Sequence, residues 1–256
     1  MPYSEAIHEA VQTLDKKYAN FDHDFTQLAY LAGRVDEFTA PDAPNRAIVQ
    51  QCRIAWRLYS SLLLLLANNF GLSAAVVARS LYEYVCGARY LMKHKKDDKI
   101  LRDFRDYGFK TLYETAGNKS WAPPGLKASY QKVAGRFNER DKWHRKSIKT
   151  IAKEVGLGDL YDTFYKLMSS VAHGDALAPM MEAGLDWKNV GESIDGHFCD
   201  LSLEAAYMLM VFLYEDAEAC LSLGCKEEVA ILNSLSKRRL RSFAAEPPSR
   251  PSNFIN

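Results

Sequence analysis

The chain of 256 residues lacks the marks of several chemistries. It has no P-loop, no dinucleotide fingerprint and no zinc-ligand spacing, which leaves nothing in the sequence to cradle a cofactor's phosphates or close around a metal. A lone Glu5-Ala6-Ile7-His8 is one pair, where a carboxylate-bridged di-iron bundle needs two such pairs plus two further glutamates. The expectation is no metal and no cofactor. None of the five cysteines (Cys52, Cys86, Cys199, Cys220, Cys225) forms Cys-x-x-Cys. They sit in apolar context, where a free thiol behaves as a small hydrophobe. Met1-Pro2-Tyr3-Ser4-Glu5 is no secretory leader, so a reducing cytoplasm is expected. The apolar stretch Leu58 to Ala67 is about half of the roughly 20 residues a membrane span needs. It reads as a buried core helix, with no membrane partner. Clean period-two alternation and hairpin turns are also missing, which argues against a sheet.

A net charge of +1 announces no nucleic-acid or membrane partner by itself. The distribution is less even. Residues 1–44 carry eight acids against three bases, and residues 127–149 carry eight bases against two acids. The basic block is either a solvated face or a contact for an anionic partner. Trp143 inside it either stacks a base or anchors a loop on the core.

What is present is helical period almost throughout. It predicts helices near residues 3–33, 45–68, 73–95, 97–117, 124–140, 146–154, 159–173, 196–222 and 225–240, with Ser73 as an N-cap. Residues 120–125 and 174–195 read as longer irregular loops. The fold class is an all-α helical bundle of about eight to nine helices, one domain over residues 1–243. The Pro-rich, polar residues 244–256 form a disordered tail.

Two of these helices are almost wholly apolar yet carry a few polar residues. Arg79 and Glu83 are spaced i to i+4 in one, and Ser169 and His173 share that spacing in the other, so each pair lies on one helix face. Arg79 with Glu83 is either a register-fixing salt bridge or an anion grip oriented by its carboxylate. His173, next to Gly174 at a helix end, is either a structural histidine bonded to Ser169 or a general acid–base. Arg89, rotated roughly 80° from Arg79, reads as an edge or surface charge. A hydrolytic Ser–His–Asp arrangement with Asp175 would lack a nucleophile elbow. The four residues Arg79, Glu83, Ser169 and His173 are expected to meet in one pocket or buried network.

Several stretches resemble a bacterial family known as domain of unknown function 5677. They are Ala78-Arg79-Ser80-Leu81-Tyr82-Glu83, Tyr90-Leu91, Trp143 with Lys146-Ser147-Ile148, Ile151 to Leu157, and Leu160-Tyr161-Asp162 through Tyr165 to Ser169-Ser170 and His173-Gly174. The resemblance spans roughly residues 50–220. The helical layout and terminal histidine are also similar to the HEPN superfamily, many of whose members are metal-independent ribonucleases of defence and toxin systems. That resemblance implies an Arg separated from the His by four to six residues. Here the widest such spacing falls on Lys166, which keeps the charge and loses the bidentate fork. The ribonuclease reading gives His173 the proton transfer, Arg79 or Lys166 the phosphorane charge, Glu83 the orientation of Arg79, and Ser169 a place beside the histidine. The alternatives are a non-catalytic module binding a nucleotide, a nucleic acid or a protein, and a purely structural polar cluster. RNA or a nucleotide and a second copy in a homodimer are the candidate partners.

Overall fold

Asn20 breaks what the apolar period reads as a single first helix. It adopts the left-handed conformation (φ 64°), which asparagine tolerates better than most residues, and the chain turns between two helices. The computed structural model describes residues 5–18, 20–116, 119, 121–137, 143–173 and 187–245. In order, the elements are α1 (Glu5–Lys17), α2 (Phe21–Glu37), α3 (Ala43–Ala67), α4 (Gly71–Lys93) and α5 (Asp98–Ala116). Then come α6 (Leu126–Gln131), α7 (Ile148–Glu154), the single turn α8 (Gly158–Leu160), a π-turn (Tyr161–Tyr165) and α9 (Lys166–Ala172). The chain closes with α10 (Trp187–Leu221) and α11 (Lys226–Ala245). Among the described residues there is no strand, and the all-α expectation holds.

Helix boundaries follow local chemistry where caps are strong. The Asp42 side chain accepts from the Asn45 N–H, and Pro44 sits where a helix has no use for its missing donor, so α3 starts there. Ser147 caps α7 through the Thr150 N–H. Ser73 does not cap α4. That helix begins at Gly71, with Phe70 ahead of it and no side-chain cap, and Ser73 lies exposed in its first turn. The region read as one helix over 124–140 is helical only to Gln131. Part of the expected loop after His173 is helix instead, since α10 begins at Trp187. Residues 174–186, and 246–256 of the expected tail, lie outside the described residues.

α4 is the central helix. It packs on α3 and α10 and, along a third flank, on α7 and α9. Ala74, Ala75, Ala78 and Ala88 are fully buried on it, and their small side chains let neighbouring backbones come close. Leu81, Val85 and Leu91 fill the spaces between, joining a core that runs from Ile7 to Leu232. Each such side chain contributes about 1.5–3 kcal/mol on burial. No helix of the described residues is long and apolar enough to cross a membrane.

Trp143 anchors its loop on this core. Its ring lies 5.7 Å from Tyr90 and 5.1 Å from Phe104, against the flank of Gly87. Much of the basic block is likewise engaged in the fold. Arg136 pairs with Asp103 and Asp106, both buried on α5, and Arg145 donates to the Arg136 carbonyl. Lys146 bonds Glu154 at 2.7 Å. These cations compensate carboxylates taken out of water.

Candidate functional site between α4 and α9

Arg79 and Glu83 form the ion pair their spacing announced, 3.1 Å between Nη2 and Oε1, each side chain 25% exposed. The apolar face of α4 fixes their place. With Ala75, Ala78, Leu81, Tyr82 and Val85 turned inward, residues 79 and 83 fall on the flank that meets α9. There Tyr165 closes the group. Its hydroxyl donates to Glu83 Oε1 at 2.7 Å and accepts from Arg79 Nη2 at 3.4 Å, while the Arg79 guanidinium lies 5.5 Å from its ring centroid. Burial, then the Glu83 carboxylate, pushes the Tyr165 hydroxyl far above its ordinary value of 10.0, so it remains a donor. Tyr82 packs its ring 4.9 Å from that of Tyr165 and donates to the Leu157 carbonyl at 2.8 Å. Arg79 Nε is buried with no acceptor among the described residues.

The other expected members stand apart from this cluster. Ser169 and His173 are joined through the backbone, the His173 N–H donating to the Ser169 carbonyl at 3.1 Å as α9 ends. The His173 side chain is exposed, and no bond links it to Arg79, Glu83 or Ser169 among the described residues. Lys166 is exposed too and pairs with Asp162 at 2.6 Å. That hydrogen bond raises the Lys166 ammonium and holds the Asp162 carboxyl below its ordinary range. Gly174 and Asp175 lie outside the described residues.

The π-turn shapes the surface next to the cluster. Its widened turn stacks Tyr161 on Tyr165, centroids 5.1 Å apart at 22°. Tyr161 is half-buried, and Lys149 and Lys166 each place an ammonium 5.9 Å from its ring. Lys153 joins them in lowering Asp162. A ladder thus runs from Arg79 through Tyr165 to Tyr161 and ends among three lysines. Sequence reasoning missed Tyr161, Tyr165 and Lys149. The available signal was that Tyr165 lies one turn before Ser169, on the face turned towards α4.

Arg89 is not a surface charge. It pairs with Asp216 of α10 at 2.7 Å, its side chain 14% exposed, beside the Phe212 ring. Among the described residues no group of three or more His, Cys, Asp or Glu is placed to hold a metal ion.

The chain matches the family of unknown function DUF5677 over residues 46–183 and belongs to it. The matched stretch contains Arg79, Glu83, Tyr161, Tyr165, Lys166, Ser169 and His173. Compared with curated proteins and with solved structures, the chain matches none.

Proposed function

We propose that this family member is an RNA-binding helical module that grips single-stranded RNA along the edge formed by α7, the π-turn and α9. The observation that carries the reading is Tyr161, a half-buried ring flanked by Lys149 and Lys166 at 5.9 Å each. Every base has a π-face, so one aromatic platform holds a base without reading its identity, at about 1–3 kcal/mol. The lysines meet the adjoining phosphates, and Asp162 offsets only part of their charge. Arg79, Glu83 and Tyr165 form the rigid backing that fixes the platform's angle.

A second reading adds catalysis to the same surface, in the manner of a metal-independent HEPN-like ribonuclease of a bacterial defence or toxin system in the cytoplasm. It is favoured by His173, an exposed imidazole on the helix that bears Lys166 and Ser169. There the imidazole would take the proton of an attacking 2′-hydroxyl and return one to the leaving oxygen. Lys166 would face the phosphorane charge.

One experiment separates these readings. Full-length protein is incubated with labelled single-stranded RNA of mixed sequence in a chelator, and both retention and chain length are measured. Binding weakened by about tenfold or more in Tyr161→Ala, and lost in Lys149→Glu/Lys166→Glu, supports the module. Cleavage by the wild type that vanishes in His173→Ala assigns catalysis as well. Wild-type protein that neither retains nor cuts RNA overturns both.

A further inference from the structure

A second surface, remote from Tyr161 in the sequence and chemically unlike it, opens where α4 ends and α5 begins. It is an open cleft of about 1310 Å³. Arg89 and the run Lys93-His94-Lys95-Lys96 line one side, and Lys99 adds a further cation. Acids are present in similar number, and two of them, Asp216 and Glu154, are paired with cations. Asp216 holds Arg89 at 2.7 Å. Glu154 lies between His94 and Lys146, 2.7 Å from each. Asp97 accepts the Lys99 and Ile100 N–H groups, and Asp42 caps α3. The cations are not matched in this way. Lys93 and Lys95 donate to the carbonyls of Glu154 and Cys220, Lys95 lies against the Cys220 thiol as well, and none of Lys93, Lys95, Lys96 and Lys99 has a carboxylate partner among the described residues. A carbonyl offsets no charge and takes one of three ammonium protons. Four lysines therefore keep their charge and most of their donors at one opening, facing the carboxylates of Asp42, Asp97 and Asp98, whose bonds to backbone N–H groups offset no charge either.

The cleft adjoins a pocket of different character. This second space, about 410 Å³, is floored by Ala43, Ala47, Leu101 and Phe104 between α3 and α5, with Arg102 and Arg105 at its rim. Pro44 and Asp98 line both spaces, so the two lie side by side. A lysine-rich mouth beside an apolar slot with a carboxylate at the junction fits a ligand with an anionic tail and a flat, weakly polar head. The geometry points to a binding site for a nucleoside di- or triphosphate. Its phosphates lie among Lys93, Lys95, Lys96 and Lys99, its base enters the slot against Leu101 and Phe104, and Asp98 accepts from a ribose hydroxyl. The slot of about 410 Å³ lies within the roughly 300–1,000 Å³ of ordinary ligand pockets, and the open cleft of about 1310 Å³ is larger than that range. The site does not rest on the RNA-binding reading.

Calorimetric titration of the full chain with ATP, tripolyphosphate and adenosine tests the proposal. ATP binds more tightly than either fragment, because each fragment fills one compartment. Lys96→Glu/Lys99→Glu alters exposed side chains and weakens ATP and tripolyphosphate alike, each by about tenfold or more. Ala47→Phe fills the slot and weakens ATP while leaving tripolyphosphate unchanged, with thermal melting confirming that both variants fold. Tyr161→Ala leaves ATP binding intact, so failure of the RNA reading is distinguishable from failure of this one. No ATP binding, or tripolyphosphate binding as tight as ATP with Ala47→Phe indifferent, overturns the nucleotide site.

Discussion

The Tyr165 hydroxyl donates to Glu83 Oε1 at 2.7 Å, so a residue of the π-turn completes an ion pair built entirely on α4. That donor, together with Arg79, compensates the Glu83 carboxylate for its partial loss of water at the α4–α9 interface.

Tyr165→Phe tests this relationship. Removing the hydroxyl preserves the ring contact with Tyr82 and costs about 1.5–3 kcal/mol, the range for hydrogen bonds to charged groups. Glu83→Gln alone is also destabilising. In the double variant the two losses add to less than their sum, by a coupling of about 1 kcal/mol in urea denaturation. Fully additive losses would mean that the bond contributes nothing.

His173→Ala leaves stability unchanged to within about 0.5 kcal/mol, as expected of an exposed position at a helix end. Any loss of RNA binding or cleavage in this variant is then a loss of function rather than of fold. A drop in melting temperature of more than about 5 °C would instead make the histidine structural.

Glu154 gives stability a pH dependence of definite sign. The Lys146 hydrogen bond lowers its carboxyl below the ordinary 4.5, partly opposed by burial and aided by the weaker effect of the His94 bond. The folded form thus binds its proton less readily than the unfolded chain. Its contribution is fully present above 4.5 and is lost as pH falls through the lowered folded value. Lys146, raised by the same bond, contributes below its ordinary 10.5 and loses this as pH rises through the raised folded value. Glu154→Gln therefore lowers the urea midpoint at pH 7, by an amount equivalent to about 0.5–1 kcal/mol, and its deficit shrinks in acid. A deficit constant down to the acid transition would contradict this account.

The thiols are predicted to be slow nucleophiles. Burial pushes Cys52, Cys86 and Cys225 each up to about 12, and Glu218 adds to the effect on Cys225. Cys220 is raised less decisively and is half-buried, with Lys95 nearby favouring its thiolate. Iodoacetamide at pH 8 on native protein modifies Cys220 before those three, as mass spectrometry of the digest would read. Rapid labelling of Cys52 or Cys86 would show that the core around α3 and α4 opens.

Gly87→Ala should stabilise by about 0.5–1 kcal/mol, since alanine is the better helix former and restricts the unfolded chain. The added Cβ would sit 3.7 Å from the Trp143 ring, an ordinary contact. A loss of stability would mean that Trp143 requires the open flank.

Elements with a strong apolar period and a strong cap are close to their expected places. The α3 and α7 regions were legible because Pro44 with Asp42, and Ser147, state their start points locally. The break at Asn20 was not, because a single asparagine in an amphipathic run carries no rule that it must turn left-handed. Nor was the start of α4, where burial of Gly71 and Ala74 outweighs the capping preference of Ser73.

By itself the sequence determined the helical class, through its 3.6-residue apolar period, and the Arg79–Glu83 pair, through a spacing that any α-helix converts into contact. Both depend on interactions within a few residues of each other. Tertiary structure alone decided that Tyr165 completes that pair across 82 residues, that Arg89 finds Asp216 across 127, and that the lysines at the end of α4 line a cleft beside an apolar slot against α3. Those partners are chosen by which helix faces pack together, and the period of one helix shows its buried face without naming the helix that covers it.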